Sequence, residues 1–498
     1  MHNIRGGALW LLSIVLAFVA AAPLCAADHD RWYVLEMQGQ RAGWMRGIQS
    51  AEGDRVTTTS EMRMSMRRGA AKVDIAIKSE FVESKGGKPI SGKSSMTMAS
   101  TPTVTEYIFK EGEVEVISGS GAVQTRVTQP LPEGVWLTPA AAAEFLSKRL
   151  EAGAQEIVVR TLDISLGLQA ITTTHKVLER TTAEALGKVV PAIKVSSTTD
   201  MQPGVESVGF VDERGVPIRT ETDMGGIKMV VILADKELAQ LEGDAPELMN
   251  STLIEPKGKI DEPRTVRKAS YLLRVPSGNM TDLPTGGPQT VTRIDDLSVR
   301  VVVDLDSVAA APDGDADKAE YLEASQMINK DDAVVARLTQ EALGTIKPEN
   351  HAARTEAMRK MVFKHIKNKS FGVGFASAAE VARTCTGDCS EHAALLTAML
   401  RNAGYASRVA TGLVFVDEFA GREGIFGYHM WSQVLLGKDG EKRWVDLDAT
   451  MPSGRSFGPG GFDATHITIA VTSLADGDSI NGLVTLAPLL GRLEITIE

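Results

Sequence analysis

Cysteine is nearly absent: the 498 residues hold three, Cys25, Cys385 and Cys389. That excludes a disulfide-stapled fold, so any domain must be held by its core. Basic tracts with interleaved aromatics are missing, and the net charge is −11, which argues against a nucleic-acid partner. Net acidity names no substrate by itself; it mostly favours solubility. Long apolar runs are missing beyond the first one. That run, Ala8 to Ala22, is broken only by Ser13, follows Arg5, and ends at Pro23 with small residues at Ala26 and Ala27. It has signal-peptide anatomy and is short for a membrane span of about 20 residues. Residues 1–26 are therefore expected to be a signal peptide and the mature protein to be exported, periplasmic or secreted. Membrane contact is expected only through an uncleaved signal anchor. Cys25 follows Pro23-Leu24 rather than the small residues of a lipoprotein signal.

A chain of this length with 43% hydrophobic residues can bury several cores, and about two to four domains are expected. From Trp32 to about Ala245 the pattern is strand-like: Tyr33 to Leu35, Glu80 to Val82, Val104 to Phe109 and Ile157 to Leu162 are β-branched or aromatic runs. Glu206 to Val211 and Val216 to Arg219 read as a hairpin, with Pro217 suggesting an edge strand. One helix is expected over Pro139 to Leu150, with Ala141, Phe145, Leu146 and Leu150 on one face. Residues 28–249 are thus read as a β-rich domain, a large antiparallel sheet or open barrel. Residues 250–312 read as a small β module or linker, with strands at Ser270 to Val275 and Ser298 to Val303.

Residues 313–498 read as an α+β domain: helices over Ala319 to Leu343, Ala352 to Ile366 and Cys389 to Asn402, then strands at Ser407 to Val416, His429 to Leu436 and Arg443 to Leu447. Two further strands are expected between Ile467 and Glu498. The acidic turn Asp313-Gly314-Asp315-Ala316-Asp317 lacks the glutamate that closes an EF-hand loop, and no metal or other cofactor is expected.

Chemistry concentrates at Gly387-Asp388-Cys389-Ser390-Glu391-His392-Ala393. A cysteine at a helix start meets unpaired N–H groups and the positive end of the helix dipole, which favour the reactive thiolate. A histidine follows in Tyr428-His429-Met430-Trp431, and acids in Trp444-Val445-Asp446-Leu447-Asp448-Ala449-Thr450. Cysteine, histidine and acid on separate elements suit nucleophilic acyl transfer. Strand alternation puts Asp446 and Asp448 on one face, so geometry leaves both open as the acid.

These motifs resemble the transglutaminase-like superfamily, whose pattern is Gly-Asp-Cys-x-Glu on a helix, then His-x-Trp, then Trp-x-x-x-Asp-Pro-Thr. The resemblance covers roughly residues 345–455 and implies a papain-like cysteine fold. It implies Cys389 as nucleophile, His429 as base, and Asp448 as the acid orienting the imidazole, since Thr450 follows it. Ala449 in place of proline and Met430 beside the histidine depart from the pattern. The main-chain N–H of Cys389 is a candidate oxyanion donor. The implied activity is attack on a peptide or carboxamide bond through a thioester, with hydrolysis favoured, as in the bacterial branch. The alternatives are transglutaminase-type amine transfer, or a non-catalytic peptide-binding or cell-envelope scaffold protein.

Rival readings attach to the same residues. Cys385, Cys389 and His392 are spaced for one helical face and could ligate zinc, but no fourth ligand is evident. Cys385 and Cys389 could also form a disulfide that silences the nucleophile. His466 is read as packing first and cleft lining second. His175, His351 and His365 lack evident partners. Trp32, Trp44 and Trp136 are read as core of the β region, or else walls of a ligand groove.

Overall fold

The computed structural model describes residues 29–498 except 69–70, 98–101, 121–122, 166, 203, 225–226, 248–251, 312–317, 371–374, 420, 439–440, 453–458, 476–488 and 490. The expected signal peptide and the acidic turn at 313–317 lie outside the described residues. The described residues form two compact units, one ending at residue 247 and one starting at residue 252.

The first unit is one 14-stranded antiparallel sheet. A run of strands from His29–Met37 to Val123–Pro130 pairs neighbour with neighbour, and so does a run from Glu156–Asp163 to Ile227–Ala234. The first and last strands, His29–Met37 and Ile227–Ala234, pair with each other and join the two runs. Alternation sets the faces. Along Ala71–Ser84, Val73, Ile75, Ile77 and Phe81 are buried while Lys72, Asp74, Lys78 and Glu80 are exposed. The outer parts of the sheet meet through side chains: Phe81, Tyr107 and Val114 pack with Leu162 and Ile164, and Ser94 Oγ donates to Ser165 O at 2.8 Å. The large antiparallel sheet expected from the sequence, there left open as a sheet or an open barrel, is present. It holds a cavity of about 120 Å³ lined by Phe81, Leu146, Ile164 and His175 among others. Trp32 and Trp44 do not line it; they pack on one another, ring centroids 5.0 Å apart.

The helix is Pro139–Glu151. Its start is satisfied by a distant carboxylate: Glu83 accepts from Thr138 Oγ1 at 2.6 Å and from Ala140 N at 3.0 Å. Leu146 and Leu150 pack on Ile157, Ile193 and Val211 as the periodicity predicts, but Phe145 is exposed and the small residues Ala142 and Ala143 are buried instead. Pro217 does not mark an edge. Its strand, Pro217–Met224, pairs on both sides, with Glu206–Val211 and Ile227–Ala234. Proline is tolerated because it opens the strand.

In the second unit, residues 250–312 do not stand alone. Strands Lys268–Arg274, Gln289–Asp295 and Ser298–Asp304 share a four-stranded sheet with the chain's last strand, Glu494–Ile497. Val299, Val301 and Val303 are all buried on one face, as alternation predicts. A second antiparallel sheet has the order Arg443–Leu447, Arg422–Leu436, Ser407–Phe419, Ile467–Thr472. The two tail strands therefore belong to different sheets. Against the second sheet lies helix Cys389–Asn402, with Thr397 Oγ1 donating to Ser432 Oγ at 3.0 Å and Ser432 Oγ donating to Ala393 O at 3.1 Å. The helix expected over residues 319–343 is shorter. Only a 3-10 turn occupies Ala319–Tyr321, and the α-helix is Ala333–Leu343, started by Asp332, whose Oδ1 accepts from Val334 N at 2.9 Å. Among the described residues no helix is long and apolar enough to cross a membrane.

Candidate active site

Cys389 is the first residue of its helix and is buried. Asp388 caps the helix, accepting from Ser390 N at 3.1 Å, while the Glu391 carboxylate accepts from Asp388 N at 2.8 Å and from Ala376 N at 2.9 Å. This is a capping box. Glycine is required at 387, because a Cβ there would sit 2.2 Å from Glu391 Cβ. The Gly-Asp-Cys-x-Glu spacing is thus a helix-start device as well as a chemical motif. The Asp388 and Glu391 carboxylates take N–H groups at this helix start. Burial, and then the Asp388 charge, push the Glu391 carboxyl well above the usual range.

His429 lies in strand Arg422–Leu436, and its Nε2 is 2.8 Å from Asp448 Oδ2, with both side chains fully buried. Trp431 follows two residues on, hence on the same face, and stacks on the imidazole with ring centroids 6.0 Å apart. That explains the His-x-Trp spacing. The Trp431 indole donates to Asp446 Oδ1 at 2.7 Å, and Gln433 Nε2 donates to the same oxygen at 2.7 Å. Asp446 therefore holds the tryptophan, while Asp448 meets the histidine. Burial pushes the Asp446 carboxyl up despite these two bonds.

Asp448 is held from all sides. Its Oδ1 accepts from Thr450 N and Thr450 Oγ1, both at 2.7 Å, so the turn keeps its shape with Ala449 in place of proline. Arg359, itself buried, donates to Asp448 O at 3.0 Å and Met451 O at 2.7 Å. Gly461 lets that guanidinium approach; its φ is +69°, and a Cβ would lie 2.9 Å from Arg359 Nη1. Burial opposes the charge on Asp448, but His429 and His466 outweigh it and hold the carboxyl well below the usual range. The other nitrogen of His429, Nδ1, is buried and makes no hydrogen bond.

The structure thus joins His429 to Asp448 directly and places Cys389 on the helix that packs against the histidine's strand. It also brings in His466, which the sequence reading weighed mainly as packing. Its Nε2 lies 3.4 Å from Asp448 Oδ2 and its Nδ1 lies 3.3 Å from Asp463 Oδ1. The signal for it was weak: a lone histidine eighteen residues beyond the acid, with no motif. Arg359 gave no sequence signal at all.

His429, Asp448 and His466 offer three ligand atoms within 4.8 Å of one another, the one such cluster among the described residues. Both nitrogens of His466, however, already face carboxylate oxygens, which only accept, so a metal would compete with those contacts for the ring. The Cys385, Cys389, His392 trio forms no ligand cluster. Cys385 instead caps helix Ala378–Thr384, its Sγ 3.5 Å from His365 Nε2. Cys385 and Cys389 are both thiols. The ring nitrogens of His175 and His351 also find partners, Ser197 Oγ at 2.8 Å and Tyr405 Oη at 3.1 Å.

Residues 336–449 match the family model of the transglutaminase-like superfamily. This segment is a transglutaminase-like domain. It begins in helix Ala333–Leu343, contains Cys389, His429 and Asp448, and stops one residue beyond that acid. Three solved structures share distant likeness with the chain. A β-barrel-like protein of a domain of unknown function from Brucella abortus is 13% identical, covering 43% of this chain and 98% of that one, with a TM-score of 0.33. A candidate cysteine protease from Cytophaga hutchinsonii is 16% identical, covering 47% and 81%, with a TM-score of 0.26. A candidate protease from Parabacteroides distasonis is 10% identical, covering 71% and 63%, with a TM-score of 0.17. At these scores they carry no argument about function. No curated protein matches the chain.

Proposed function

We propose that the transglutaminase-like domain is a cysteine-dependent acyl-transfer enzyme of an exported protein, hydrolysing peptide or carboxamide bonds. In this reading Cys389 is the nucleophile, His429 the base and Asp448 the group that fixes the imidazole. The observation that carries it is the buried His429–Asp448 pair at 2.8 Å, which leaves Nδ1 as the ring atom for a thiol proton. Cys389 gives its proton to His429 and attacks the carbonyl carbon. The C–N bond breaks, His429 returns the proton to the leaving amine, and a thioester remains. His429 then takes a proton from water, which attacks the thioester; the acid departs and the thiol is restored. An amine in place of that water gives transfer instead. The substrate is a protein or peptide, the cell envelope being one source.

A second reading has one observation in its favour: Cys389, His429 and Asp448 are all essentially unexposed. A carbonyl reaches the thiol only if the surrounding chain opens, and a protein that never opens would be a peptide-binding or envelope scaffold protein. The test is a peptide panel in H₂¹⁸O with a labelled amine, read by intact-protein and product mass. A thioester on Cys389 with ¹⁸O-labelled acid supports hydrolysis. Amine incorporation replaces it with transfer. Peptide binding without product, unchanged by Cys389→Ala, overturns the enzyme.

A further inference from the structure

Beyond the three residues of the proposed mechanism lies a buried chain of alternating charge. Arg264 donates from Nη1 to Asp463 Oδ2 at 2.8 Å and from Nη2 to Phe415 O. Asp463 Oδ1 accepts from Thr465 N at 2.9 Å and faces His466 Nδ1 at 3.3 Å. His466 Nε2 faces Asp448 Oδ2 at 3.4 Å, the same oxygen that meets His429. Nδ1 also lies 3.2 Å from Asp463 O, and the two carboxylate contacts of His466 are long for hydrogen bonds, so charge attraction carries them more than directionality does. The ring is wedged between Phe462, at 4.3 Å between centroids, and the edge of Trp431, at 5.3 Å.

We propose that His466 is a positioning residue, an imidazolium clamped between Asp463 and Asp448 that fixes the carboxylate oxygen serving His429 and is anchored by Arg264. Arg264, Asp463 and His466 all lie outside residues 336–449. The family segment alone is then an incomplete site, finished by the strand-rich residues before it and the loop after it. The charged and titratable groups around the ring are Asp463, Asp448 and His429, with Arg264 behind Asp463 and Asp446 behind Trp431. Burial disfavours a charged imidazole, but Asp463 and Asp448 overcome it and raise His466 to about 9. The consequence for Cys389 rests on the acyl-transfer reading: with the clamp gone, Asp448 is less fixed and one positive charge leaves the site, and both changes disfavour a thiolate.

The test uses the full chain labelled with ¹⁵N-histidine, with His466 assigned by its absence in His466→Gln. The clamp requires that ring to carry two protons from pH 5 to pH 8 and to titrate near 9. Asp463→Asn, which leaves His466 and Asp448 in place, should bring the titration down. In parallel, Cys389 alkylation is followed against pH; His466→Gln should move its profile up by about one unit, toward an ordinary thiol near 8.5. A His466 titrating near 6.5 overturns the clamp whatever Cys389 does. A protonated His466 whose loss leaves a reactive Cys389 unchanged overturns the positioning role. A wild-type Cys389 behaving as an ordinary thiol, beside a protonated His466, sinks the acyl-transfer reading and the positioning role built on it.

Discussion

The two units bury different things. Among the described residues up to 247, Glu83 is the one Asp, Glu, Lys, Arg or His side chain that is fully buried, and it caps a helix. From 252 onward, Arg359, Glu391, His429, Asp446, Asp448, Asp463 and His466 are buried with others. Each buried charge carries a desolvation cost that only close partners offset. A fold needing only stability would fill that volume with apolar side chains, as the open barrel does with Val73, Ile75 and Phe81. The second unit links Arg264, Asp463, His466, Asp448 and His429 in one run of contacts, which is where perturbed protonation and chemistry coincide.

The sharpest way to break this contrast is Asp448→Asn. It leaves His466 and Arg359 in place but removes the anion both histidines meet. Loss of about 3–5 kcal/mol of stability is expected, along with the special reactivity of Cys389, by chemical denaturation and alkylation. A silent Asp448→Asn would mean the cluster is decoration. Next is Gly387→Ala, whose Cβ collides with Glu391 and opens the capping box. About 1–3 kcal/mol should be lost, measured by urea unfolding, with Cys389 reactivity falling as well.

The pH dependence sharpens the contrast further. His466 is raised from 6.5 to about 9, so its contribution is fully present below pH 6.5 and is lost as pH rises through about 9. Asp448 is depressed, so its contribution is present above its unfolded value near 3.8 and is lost as pH falls through its folded value. The second unit should therefore weaken on the alkaline side, and His466→Gln should remove that slope; differential scanning calorimetry from pH 6 to 10 measures it. The smallest effect belongs to the barrel. Burial raises the Glu83 carboxyl, and Glu83→Gln keeps an acceptor for Thr138 but leaves Ala140 N facing an amide N–H, so it should cost about 1 kcal/mol. It should leave Cys389 alkylation untouched.

The contrast also explains what was legible in sequence. Local rules gave part of the first sheet, because β-branched and aromatic runs mark strands such as Thr103–Phe109 and Glu156–Asp163. They also gave helix Cys389–Asn402 and strand Arg443–Leu447 at their observed bounds. The cluster was only half legible. His429 and Asp448 stood out through Trp431 and Thr450, and alternation alone left Asp446 equally open. Arg264 and Asp463 meet across 199 positions of sequence, and Arg359 reaches Met451 across 92. No periodicity reports contacts of that separation. Pro217 misled because strand pairing on both sides overruled local preference, and Phe145 because the buried face of its helix is turned toward Ala142 and Ala143.

The most direct measurement is the pH profile of iodoacetamide labelling at Cys389, with Cys385 as internal control and His429→Ala alongside. An activated pair gives rapid labelling persisting well below the ordinary thiol value of about 8.5, lost in His429→Ala while Cys385 is unchanged. Labelling of Cys389 that follows an ordinary thiol and ignores His429 would contradict it, and the buried charges would then need an explanation other than cysteine chemistry.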